Sequence, residues 1–221
     1  MKLLSPIKRH SGLLVKINQR FADPANVAWY KANGIDIPFH NGLDLGLTGT
    51  PSQNYGSELV ACFDGKVVKR TFESPMSAKG NGLTLESKPF IEDGKTKIYQ
   101  SVYWHCSKLS DKNEFKKGET VAYMGNSGLV LPKPSVECVH CGSHLHFMIY
   151  VWELQDGVWT LLNKDNGVGG AIDPLPLIDG LQGESEGDDT PFENDAPAYQ
   201  YFIDQIAEVI KELIEQFKPK L

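Results

Sequence analysis

Apolar and polar positions alternate in short runs along most of the chain, and turn residues separate one run from the next. Residues 14–21, Leu-Val-Lys-Ile-Asn-Gln-Arg-Phe, alternate enough to predict a strand. Three Asp-Gly pairs, Asp64-Gly65, Asp93-Gly94 and Asp156-Gly157, each sit between apolar, β-branched runs. That dipeptide suits a two-residue turn with left-handed backbone, so each pair predicts a hairpin. The expected pairings are 59–63 with 66–69, 82–86 with 96–105, and 147–154 with 158–162. Gly80-Asn81-Gly82 reads as a turn in its own right. Asp23-Pro24 ahead of residues 25–32 predicts a short capped helix, because Asp accepts from free amides and Pro fits the first turn. The pattern therefore predicts a mainly β fold, an antiparallel β-sheet domain with short helices.

The pattern changes after Pro174-Leu-Pro-Leu177. We divide the chain into a domain over 1–178, an acidic linker over 179–198 and a C-terminal amphipathic helix over 199–221. The linker is rich in Gly, Asp and Glu and too polar to bury. Within it, Gly183-Glu-Ser-Glu-Gly187 matches a serine-hydrolase elbow, but that motif needs a strand before it and a helix after it. We take it as a chance match. In the last segment Phe202, Ile206, Val209, Leu213 and Phe217 form one stripe at helical spacing. Such a helix either packs on its own domain or pairs with a protein partner or a second copy.

Composition narrows the function. With 221 residues and 41% hydrophobic content, the chain can bury an ordinary core. A net charge of −6 without a basic patch argues against a nucleic-acid partner. No apolar run is long enough to span a bilayer. The opening Met1-Lys-Leu-Leu-Ser-Pro6 has no apolar signal core, since Lys8, Arg9 and His10 follow at once.

The candidate chemistry lies in His40-Asn-Gly-Leu-Asp44, Tyr103-Trp-His105 and His144-Leu-His146. Catalytic zinc takes three ligands from His, Asp or Glu and leaves a fourth position for water. Side chains two apart on a strand share a face, so His144 and His146 look into one space. His40 and Asp44 are four apart, and Pro38 and Gly42 make a regular helix there unfavourable, so that segment reads as extended.

These motifs resemble the M23 family of zinc metallopeptidases, the lysostaphin and LytM-like cell-wall endopeptidases. The resemblance rests on His-x-Gly-x-Asp at 40–44, Tyr-x-His at 103–105 and His-Leu-His-Phe at 144–147. Asp64-Gly65-x-Val67, Gly80-Asn81, Lys117-Gly118-x-x-Val121 and Gly125-Asn-Ser-Gly128 fall between them in the family's order. It covers roughly residues 35–152. It implies one zinc per chain on His40, Asp44 and His146, with His105 and His144 as catalytic residues beside the water. His144 is then the expected base and His105 orients water or stabilises the oxyanion, and the two roles can be exchanged. Asn81 and Tyr103 are the expected substrate contacts.

The implied function is hydrolysis of peptide cross-links or bridges in bacterial peptidoglycan. The other reading is a structural or wall-binding component of a phage or other particle that retains the metal site without turnover. A wall enzyme without a visible signal is expected to be extracellular after processing, or virion-associated. Two features depart from the family. Residues 129–143 are longer than the usual turn before His-x-His, and residues 87–93 extend a hairpin. Cys138 and Cys141 form a disulfide or a reduced pair, or with His140 part of a second zinc site. Tyr30 is expected to be packing or rim more than catalysis.

Overall fold

In the computed structural model the described residues are 2–8, 12–32, 39–72 and 77–181. The stripe at 199–221, the motif at 183–187, most of the acidic segment and His10 lie outside them. The first strands are Val15–Gln19 (β1), Leu43–Leu47 (β2), Glu58–Val60 (β3) and Gly65–Thr71 (β4). Gly82–Ser87 (β5), Phe90–Glu92 (β6), Lys95–Trp104 (β7), Lys108–Leu109 (β8) and Glu114–Phe115 (β9) follow. Thr120–Tyr123 (β10), Leu145–Gln155 (β11), Val158–Leu161 (β12) and Ala171–Ile172 (β13) complete the series. Two short helices accompany them, Ala25–Ala32 (α1) and Pro51–Asn54 (α2). No helix among the described residues is long and apolar enough to cross a membrane.

The main sheet is antiparallel, in the order β1-β2-β11-β7-β5-β4-β9, with β12 and β13 against β11 and β6 against β7. A second sheet has the order β3-β10-β8. β11 is central because its apolar run is covered on both faces over Leu145–Ile149. Leu43, Leu45 and Leu47 of β2 turn into the core with Leu145 and Phe147 of β11, all fully buried. Asp44, between two of those leucines, necessarily points to the opposite face. Tyr103 joins the core, edge-on to Phe147 at 5.3 Å between ring centroids.

Two expected hairpin turns form. Asp93-Gly94 and Asp156-Gly157 have positive φ at both residues, 52° and 71°, then 49° and 79°. They close β6 onto β7 and β11 onto β12. The pairing of 82–86 with 96–105 also forms, from Leu83 opposite Tyr103 to Glu86 opposite Gln100. The pairing of 59–63 with 66–69 does not. β3 pairs with β10 in the smaller sheet, while β4 pairs with β5 and β9. The Asp64 carboxylate instead binds Lys117 N and Lys116 Nζ, at 2.8 and 2.9 Å. Gly65 serves close approach, since a Cβ there would lie 2.4 Å from the Glu86 carbonyl oxygen. The Asp23 cap holds as expected, with Oδ1 accepting from Ala25 N at 2.9 Å.

Leu85 is fully buried in the core and far along β5 from the histidines. Leu85→Ala is expected to cost about 2–5 kcal/mol of stability, read from urea unfolding.

Candidate metal centre

Three donor atoms converge at one edge of the β2–β11 ladder. The ladder sets His146 opposite Asp44, and His40 reaches them from the segment entering β2. His40 Nε2 lies 3.1 Å from Asp44 Oδ1 and 3.0 Å from His146 Nδ1. His146 Nδ1 lies 2.9 Å from Asp44 Oδ1. A tetrahedral ion with bonds of about 2.0 Å has ligands about 3.3 Å apart, so this triangle is close to the size a small divalent ion requires. Among the described residues, His40, Asp44 and His146 are the group that could hold a metal ion. Gly42 between the first two admits this approach, because a Cβ there would meet the Phe147 carbonyl oxygen at 2.6 Å and His146 Nε2 at 3.0 Å.

The outward nitrogens explain why these atoms face one another. His40 Nδ1 donates to the Arg20 carbonyl at 3.1 Å, and His146 Nε2 donates to Asn41 Oδ1 at 3.1 Å. Each ring then turns its remaining lone pair inward. Two imidazole lone pairs and a carboxylate oxygen within 3.1 Å repel one another unless a cation lies among them. A proton or a metal ion satisfies that demand, and the two nitrogens with one oxygen are a donor set that suits zinc.

Two further imidazoles stand beside this triangle and obey the same rule. His105 Nδ1 donates to the Ser127 carbonyl at 2.8 Å, and His144 Nδ1 donates to the Gly142 carbonyl at 2.7 Å. Their rings lie 4.7 Å apart, and His144 Nε2 is 3.6 Å from Asp44 Oδ1. His105 sits just past β7 with φ of 63°, a left-handed turn that diverts it from the strand's alternation. That turn is held by His105 N donating to Lys79 O and Cys106 N to Asn81 O. The tryptophan before it, Trp104, stacks on the His146 ring at 5.0 Å, with Lys79 Nζ over its indole.

Charge at the centre is shared between partners. Burial opposes a charge on Asp44, yet His40 and His144 and the hydrogen bonds from His146 and His40 hold its carboxyl well below the usual range. Burial likewise disfavours the charged form of His40, but the Asp44 carboxylate and the ring's hydrogen bonds prevail and raise its pKa. His146 is lowered, chiefly by burial. His105 is pushed down to about 3 by burial first and then by His144 and His146. It therefore stays neutral throughout the ordinary range, with Nε2 as an acceptor.

The five histidine and aspartate positions expected from the sequence thus meet at one place. Tyr103 does not join them. It is fully buried, and its hydroxyl donates to the Val60 carbonyl at 3.0 Å, because it stays on the core face of β7 while His105 leaves the strand. Asn81 is half-buried at the start of β5, its backbone N held by Ser127 Oγ at 2.9 Å. Tyr30 is buried, and its hydroxyl is raised by burial and by the nearby Asp44 charge, consistent with packing. Cys138 and Cys141 form a disulfide, which removes both thiolates from any second zinc site. His140 instead stacks on Tyr55 at 4.1 Å. Asn41 and Trp104 were not anticipated. The Asn inside the 40–44 motif was the available signal for the first, and a Trp beside a candidate ligand histidine for the second.

A family model described as Peptidase family M23 matches residues 38–159. Among solved structures, the chain is similar to the catalytic domain of lysostaphin from Staphylococcus simulans, at 23% identity over 64% of this chain and 81% of that one, with a TM-score of 0.40. It is similar to a zinc-containing peptidase from Vibrio cholerae, at 21% identity over 72% of this chain and 39% of that one, with a TM-score of 0.43. It is also similar to the catalytic domain of a prophage-encoded M23 protein, EnpA, from Enterococcus faecalis, at 17% identity over 71% and 93%, with a TM-score of 0.41. No curated protein sequence matches the chain.

Asn41 holds His146 from behind, so Asn41→Ala is expected to weaken zinc binding about 10- to 100-fold in a competition titration against a chromophoric chelator. Acid acts on the same centre in a definite direction. The raised pKa of His40 keeps a proton on its inner nitrogen to higher pH, and zinc must displace that proton. Zinc affinity is expected to fall about tenfold per pH unit below that pKa and to level off above it, in the same titration.

Proposed function

The chain belongs to peptidase family M23, and on that premise we propose that it is a zinc-dependent endopeptidase cutting peptide cross-links or bridges of bacterial peptidoglycan. The observation that carries the reading is the inward set of lone pairs, three forming a triangle sized for an ion and two standing free beside it. His40, Asp44 and His146 would hold one zinc. When bound, zinc supplies Lewis-acid polarisation of the scissile carbonyl and lowers the pKa of water towards about 7.

The chain's own residues then handle the proton. His144 Nε2, held as an acceptor by the Nδ1–H bond to Gly142, takes a proton from the attacking water. It becomes an imidazolium and returns that proton to the leaving amine. His105 Nε2 is the same kind of acceptor and orients the water from the other side. Its depressed pKa makes it the poorer proton carrier, which supports His144 as the base. A neutral His105 with Nδ1–H committed to Ser127 has no donor to offer an oxyanion, so water orientation is the role left to it.

Substrate would enter along the side where Trp104 and Asn81 border the imidazoles. Residues 129–143 would form one wall there, and Leu129 and Val139 on that segment keep exposed apolar side chains. A peptide substrate in the wall places the protein's work outside the cytoplasm, as a secreted or virion-associated enzyme.

The test is turnover against metal content. Zinc-loaded protein is expected to release new amino termini from purified sacculi, whereas apoprotein and His146→Ala release none. His144→Ala is expected to keep its zinc and lose at least about 100-fold in rate. Equal release by loaded and metal-free protein would discard the reading, and binding to sacculi without release would leave a wall-binding module in its place.

A further inference from the structure

Residues 129–143 form a closed segment that ends on the imidazole proposed as the base. Cys138 and Cys141 are joined, and Cys141 N also donates to the Cys138 carbonyl at 3.1 Å. Ser143 donates to the His140 carbonyl from N and from Oγ, at 3.3 and 2.6 Å. Asn126 clamps this small ring from the neighbouring turn. Its Nδ2 donates to the Val139 and Cys141 carbonyls, both at 3.0 Å. Gly142 comes next, with φ of 70°, and a Cβ there would lie 2.4 Å from the Pro132 carbonyl oxygen. The Gly142 carbonyl is the acceptor for His144 Nδ1.

Apolar burial holds only the start of this segment, where Val130 is buried. Residues 132–137 are all exposed, Val136 is 93% exposed and Val139 59%. A loop with so little buried surface draws its order from covalent and hydrogen-bonded ties. The zinc ligands are oriented elsewhere, His40 by Arg20 and His146 by Asn41.

We propose that the Cys138–Cys141 disulfide and Asn126 are positioning residues for His144: they fix the Gly142 carbonyl, which sets the tautomer and aim of the imidazole without touching the metal triangle. This rests on the reading of His144 as the base. Loss of either tie lets the 142–143 peptide, which carries the Gly142 carbonyl, turn, and the imidazole then exchanges its Nδ1–H tautomer for a mixture in which Nε2 no longer always offers a lone pair.

The test compares the Cys138→Ser/Cys141→Ser pair, Asn126→Ala and the reduced wild type. A dithiol breaks the Sγ–Sγ bond, yielding two protein thiols and its own cyclic disulfide. Cys62 and Cys106 are fully buried and free, so they do not compete. The serine pair also excludes zinc capture by the freed thiols. The maximal rate on labelled sacculi is expected to fall about 10- to 100-fold, with the half-saturating sacculus concentration and zinc affinity within twofold of wild type. Reoxidation of the reduced protein restores the rate, which keeps the test decisive where the serine pair does not fold. In the metal-free protein, imidazole ¹⁵N shifts of His144 are expected to move from one tautomer to a mixture.

An unchanged rate and unchanged shifts without the disulfide would overturn the proposal. A parallel loss of zinc, or a change confined to half-saturation, would overturn it as well. Wild type inactive on sacculi would instead defeat the functional reading, and the ¹⁵N shifts would still decide the positioning claim.

Discussion

The antiparallel register of β2 against β11 is the constraint on which the centre depends. It places His146 opposite Asp44 on one face and Leu145 opposite Leu45 on the other. Slipping the pairing by one residue would send every side chain of the strand to the wrong face. Leu43, Leu45 and Leu47 would lose their burial, at about 1.5–3 kcal/mol each, and Asp44 would enter the core. The metal triangle is thus enforced by the hydrophobic core behind it.

Three of the four imidazoles, those of His40, His105 and His144, are held by main-chain carbonyls, and one by a side chain. The ligand His146 comes from a central strand, and its outward nitrogen binds the Asn41 amide beside it. His105 and His144 lie just off strand ends, and both take their orientation from backbone carbonyls of nearby loops. The turn at 125–128 serves both. Gly125 O accepts from His144 N, Asn126 clamps the disulfide ring, and Ser127 O takes the proton side of His105. One short turn therefore serves both His105 and His144, while His146 stands on the sheet and His40 is turned towards it by the Arg20 carbonyl.

This division explains what could be read from the sequence. Residue types and spacing identified the five groups of the centre, because chemistry demands particular side chains there. Alternation and Asp-Gly turns located β5, β7, β11 and β12, where local preference and final pairing agree. Asp64-Gly65 misled because the same dipeptide also suits a carboxylate bound to the Lys117 amide and a backbone pressed on Glu86, a long-range contact that local pattern does not contain. Tyr103 misled because it shares the Tyr-x-His motif with His105, whereas a left-handed residue turns His105 off the strand and leaves Tyr103 in the core. The acceptors that orient the imidazoles were illegible for a simpler reason: three of four are main-chain carbonyls, which carry no residue identity.

A consequence follows for how such a site can change. Ligand geometry is tied to the core through register, so alteration there threatens folding before it tunes chemistry. Residues 132–137 carry no such burden, since their side chains are all exposed, and the segment that follows is held by a disulfide, an amide clamp and local hydrogen bonds. The same segment carries the Gly142 carbonyl that sets the aim of His144. Loss of the ties at Asn126, Cys138 and Cys141 therefore acts on proton transfer while leaving the three ligand side chains in place, which makes this loop the part of the molecule where rate can shift without disturbing the ligand geometry.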